Sequence, residues 1–127
     1  MVISARPENG CEAMEIILID KPIPRTLLIQ MAQEQFVDMV KAVVDIEQNV
    51  MAIGGGLQVD EESYLLERGS VQDNLWGINL QLNRDLPDMV EFDSVINIRP
   101  AQDNPSRYVG DPSVRERVIA IVGDLVK

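Results

Sequence analysis

The 127-residue chain contains no histidine. That absence excludes Ser-His-Asp and Cys-His catalysis, His-ligated zinc and a histidine general base. Cysteine occurs once, at Cys11, so no intrachain disulfide and no CxxC pair can form, in keeping with a cytoplasmic protein. Aromatic residues are only 4% of the chain, so its core must be built from Val, Ile, Leu and Met. Positive charge is also scarce: 11 Lys and Arg stand against 21 Asp and Glu, a net charge of −10. With the cations scattered, no basic footprint exists for nucleic acid or an anionic membrane surface. No apolar run approaches the roughly 18 residues of a membrane helix, and no signal-peptide pattern opens the chain.

What the chain does contain is alternation. Residues 39–47 (MVKAVVDIE), 75–82 (LWGINLQL) and 91–99 (EFDSVINIR) alternate polar and apolar side chains, the pattern of half-buried strands. Val40, Ala42, Val44, Trp76, Ile78, Leu80, Phe92, Ile96 and Ile98 fall on the dry face, with Trp76 in the core. The opposite face carries Lys41, Val43, Asp45, Glu47, Asn79, Asp93, Val95, Asn97 and Arg99. Residues 50–54 follow 39–47 after Gln48-Asn49, which suggests a hairpin. A short strand or extended arm is expected at 15–20.

Two longer helices are expected, over 25–36 and after Asp111-Pro112, an N-cap followed by a first-turn proline. Their apolar stripes are Leu27, Leu28, Met31, Ala32 and Val114, Val118, Ile121, Val122, Leu125. A short helix opens at Asp60-Glu61-Glu62 and stops at Gly69, with Asp60 and Glu67 on one face. Residues 1–13 form a loose leader ahead of one domain over 14–127, and Met14 is a candidate translation start. The fold expected is α+β: a mostly antiparallel sheet of four to five strands, two longer helices on one face and one short helix at an edge.

Segments MVKAVVDIE, MAIGG, LLERGSVQDNLWGIN and INIRP, ahead of the DP-initiated helix, resemble a family of small bacterial proteins known only as a domain of unknown function. LWGIN and INIRP are its most distinctive strings, and the resemblance covers about residues 15–127. It implies a bacterial, cytosolic, single-domain protein and carries no activity with it.

Three functional readings remain. The leading one is a non-catalytic binding or regulatory module without a cofactor, recognising a protein partner or another copy of itself. Lys41, Asn79, Asn97 and Arg99 are its binding candidates, and an exposed apolar patch including Val43 and Val95 is its expected mark. The alternative is a hydrolase or phosphotransfer enzyme assisted by Mg or Mn. Asp45 and Asp93 would be its ligands, Glu47 a base and Arg99 an anion clamp. That reading requires Asp45, Asp93 and Arg99 to converge in one pocket. The third is a small-ligand site at the glycines 54–56, although neither GxxxxGK[ST] nor GxGxxG is present.

Overall fold

A computed structural model describes residues 15–35 and 38–127. The expected leader, Met14, Cys11 and Phe36 lie outside them. Five strands form one antiparallel sheet: β1 (Ile17–Ile19), β2 (Met39–Asp45), β3 (Val50–Ile53), β4 (Leu75–Gln81) and β5 (Val90–Glu91), in the order β1-β3-β2-β4-β5. Among the described residues, three α-helices accompany it: α1 (Arg25–Gln35), α2 (Gln58–Glu67) and α3 (Pro112–Leu125).

The β2–β4 register carries the alternation across the sheet. Val40 faces Leu80, Ala42 faces Ile78 and Val44 faces Trp76, whereas Lys41, Val43 and Asp45 face Asn79, Gly77 and Leu75. The first set lies in the larger core, with Leu28 and Ala32 of α1 and Val118, Ile121, Val122 and Leu125 of α3. The two longer helices therefore share one face, as the sequence predicts. Asp111 starts α3 by accepting from the Ser113 amide at 2.8 Å, with Pro112 in the first turn. The Ile23 amide donates to Leu125 O and the Lys127 amide to Ile23 O, so the end of α3 is tied to the entry of α1.

Two expectations are corrected. The third alternating segment, 91–99, is a strand only at Glu91. Beyond it the chain turns into a 3-10 turn over Val95–Asn97. Ser94 is responsible: its side chain accepts from the Ile96 amide and caps that turn. Gly77 permits the close approach, because a Cβ there would lie 2.5 Å from Ser94 Oγ and 2.6 Å from Ser94 Cβ.

The short helix is not at an edge. α2 packs on β2 and β3 across the face opposite α1 and α3, closing a second, smaller core of Val43, Ala52, Leu65, Leu75 and Ile96. It starts three residues earlier than expected, with Leu57 rather than Asp60 at the N-cap. Its end is as expected. Gly69, at φ 99, follows the last turn while the Gly69 and Ser70 amides donate to Leu66 O and Leu65 O. No helix among the described residues is long and apolar enough to cross a membrane.

Candidate functional site

The polar face of the sheet is a set of internal anchors. Asp45 is fully buried at the β2–β3 turn. Its Oδ1 accepts from the amides of Glu47 (2.9 Å) and Gln48 (3.0 Å), and its Oδ2 from Gln48 Nε2 (3.1 Å) and Ser70 Oγ (2.6 Å). Glu47 stands exposed in that turn. Asp93 instead forms an ion pair with Arg107.

Asp45 and Asp93 do not converge. Asp45 pairs with Leu75 on the β2 side of β4. Asp93 follows Glu91, which pairs with Asn79 on the β5 side. The whole width of β4 lies between them, two inter-strand spacings or about 10 Å. Among the described residues, no group of three acidic or cysteine side chains could hold a metal ion. The ligand set expected for Mg or Mn is therefore not assembled.

Arg99 is a clip, with its fork directed inward. Nε donates to Ile96 O (2.9 Å), Nη1 to Gln72 O (2.8 Å) and Gln102 Oε1 (3.2 Å), and Nη2 to Leu75 O. Its carbon Cζ lies 4.5 Å from the centre of the buried Trp76 ring. Burial lowers the guanidinium pKa, while the charges of Glu62 and Asp73 oppose that shift. These bonds hold three loop segments together and direct the fork at backbone carbonyls.

The amides of Asn97, in the 3-10 turn, and Asn79, in β4, each bond a separate set of partners. Asn97 Oδ1 accepts from Gly77 N (2.8 Å), and its Nδ2 donates to Gly77 O (3.0 Å) and Arg107 O (3.0 Å). Its side chain thus takes the place of a neighbouring strand where β5 has ended. Asn79 Oδ1 accepts from Gln58 Nε2 (3.0 Å), and its Nδ2 donates to Glu91 Oε1 (3.0 Å). Lys41, opposite Asn79, is half-buried, and its charge acts on the carboxyl of Glu61.

Glu61 is the group that sequence reasoning missed. It is 0% exposed, with Oε2 accepting from the Gly55 amide at 2.9 Å and Oε1 without any partner. Gly55 makes room for it, since a Cβ there would lie 2.9 Å from Glu61 Cγ. Burial pushes the carboxyl pKa up to about 9, against the opposing effects of the Gly55 hydrogen bond and Lys41. Glu61 is consequently neutral at pH 7. The glycines 54–56 thus shelter an acid of the protein itself rather than a phosphate.

Glu61 belongs to a helix turned inside out. The buried residues of α2 are Gln58, Glu61, Glu62 and Leu65, three polar and one apolar. Val59 is 46% and Leu66 39% exposed. A helix at a protein surface ordinarily carries the opposite distribution. The spacing 58, 61, 62, 65 is helical and visible in the sequence, but its polar side chains conceal it from an apolar pattern.

The apolar patch expected around Val43 and Val95 does not form: Val43 is buried beneath α2, and Val95 stands out 57% exposed. A groove of about 560 Å³ runs past β5, where Phe92 meets Tyr108 edge-on and Arg115 lies over the Tyr108 ring. Its Glu91 and Asp93 are engaged by Gln81 and Arg107.

No curated protein and no solved structure matches the chain. A family model does match, over residues 17–125: the chain belongs to DUF5674, a family of proteins of unknown function.

Proposed function

We propose that this domain is a non-catalytic protein-binding module that docks its partner on the outer face of α2. One observation carries the reading: α2 buries Gln58, Glu61 and Glu62 while leaving Val59 and Leu66 partly exposed. Internal hydrogen bonds to Asn79, Gly55 and Gln72 account for the buried polar side chains, but the fold gains nothing from leaving Val59 and Leu66 uncovered, because an exposed apolar side chain gains stabilisation only when something covers it. The polar face offers little support for catalysis. Asp45, Asn79, Asn97 and Arg99 are each held by internal hydrogen bonds, and the carboxylates proposed as ligands lie on different sides of β4.

A photo-crosslinking amino acid placed at Val59, at Leu66 and, as a control, at Ile29 of α1 tests this in the source cells. Ile29 has comparable exposure, 36%. A discrete protein adduct at positions 59 and 66 but not 29 is expected. Absence of adducts at both α2 positions, or the same adducts at all three, overturns the proposal.

A further inference from the structure

The outer surface of α2 carries two parallel stripes. Residues seven apart in a helix lie two turns away on nearly the same line. Val59 and Leu66, with Ser63 between them, make an apolar line. Asp60 and Glu67 make an acidic line beside it, and all five residues are exposed. Leu57 stands 57% exposed at the N-terminal end. The neighbouring cation, Arg68 at the C-cap, is held on its own helix: its guanidinium lies 3.5 Å from the centre of the Tyr64 ring and donates to Tyr64 O.

This arrangement discriminates between occupants. A second copy of the chain, also of net charge −10, would set Asp60 and Glu67 against the same carboxylates, with the Arg68 of each copy held on its own Tyr64. Like charges brought together across an interface oppose association, whereas opposite charges speed encounter and fix register. Resting on the reading of α2 as a docking face, we infer that the occupant is a segment of another protein with an apolar stripe flanked by Lys or Arg. Its apolar side chains cover Val59 and Leu66, and its cations meet Asp60 and Glu67. An amphipathic basic helix has this chemistry, and its own seven-residue period matches the two lines.

The test titrates three synthetic helical peptides into the ¹⁵N-labelled full chain. One carries Leu and Lys on opposite faces, one Leu and Glu, and one Ser and Lys. The Leu/Lys peptide is expected to shift the amide signals of Val59, Ser63 and Leu66 saturably, and added salt to weaken it. Leu66→Ser should weaken that binding by roughly tenfold or more, with only a small shift of the unfolding midpoint. If the Leu/Glu peptide binds α2 as tightly, the charge inference is overturned while the docking face stands. If the Ser/Lys peptide gives the same shifts, general attraction to an acidic protein is the cause and the inference falls. If sedimentation shows a dimer that Leu66→Ser dissociates, the occupant is a second copy and the inference is again overturned. Absence of α2 shifts with all three peptides overturns the inference and the docking face together.

Discussion

Glu61 should make the protein less stable as pH rises through neutrality, the reverse of what a salt-bridged carboxylate does. In the unfolded chain its pKa is near the ordinary 4.5, and burial raises it to about 9 in the fold. Below about pH 4.5 the carboxyl is protonated in both states and makes no difference to stability. Between the two values the unfolded state releases the proton while the folded state keeps it. Each pH unit in that window therefore costs about 1.4 kcal/mol, and the loss is complete only above about 9. From about pH 6 to about pH 8 the expected cost is about 3 kcal/mol, a large share of the ~5–15 kcal/mol typical of a domain. Glu61→Gln removes the titration while keeping the shape and an acceptor for the Gly55 amide. Urea unfolding of both proteins at the two pH values isolates the effect, because every other titrating group is common to them. The wild type should lose about 3 kcal/mol more than the variant between the two conditions. Parallel losses in the two proteins would refute the reasoning and place the Glu61 carboxyl in contact with water.

Other perturbations follow from the same packing. Asn97→Val leaves Gly77 N–H and C=O without their partners and should cost ~1–3 kcal/mol in a denaturation curve. Gly77→Ala drives a methyl into Ser94 and should cost roughly 1–3 kcal/mol, with Ser94→Gly restoring part of the loss. Asp111→Ala removes the α3 cap and should lower stability by about 1 kcal/mol, read by calorimetry. Val59→Ser and Leu66→Ser should each lower stability by no more than about 1 kcal/mol, because much of each side chain, 46% and 39%, is already exposed.

Much of the sheet was legible because β2 and β4 are long enough for a period of two to be unambiguous. Both strands carry Val, Ile, Leu or Trp at alternate positions, and their observed pairing keeps those residues together. The helices α1 and α3 were legible from apolar spacing and, for α3, from Asp111-Pro112. Alternation failed in 91–99 because it cannot register a side chain that caps its own backbone, and Ser94 does so. α2 was mislocated for a different reason. Two carboxylates and an amide on its inner face imitate a solvent face, and only burial reveals them as interior. The candidate residues Asp45, Asn79, Asn97 and Arg99 were singled out for their chemistry, yet each uses it inside the fold, on a neighbouring turn, on backbone or on a side chain from elsewhere in the chain. Residue type alone does not show where those bonds go.

The amide of Asn97 also has a consequence for solubility. Past the end of β5, the outer margin of β4 would present Gly77 N–H and C=O to any extended chain, within the apolar stretch Leu75-Trp76-Gly77-Ile78. Such an open margin is a template for intermolecular strand pairing. One side chain, reaching in from a 3-10 turn, occupies both hydrogen-bonding groups. The protection against edge-to-edge aggregation at that point therefore rests on a single residue, and its loss would expose a seam as well as weaken the fold.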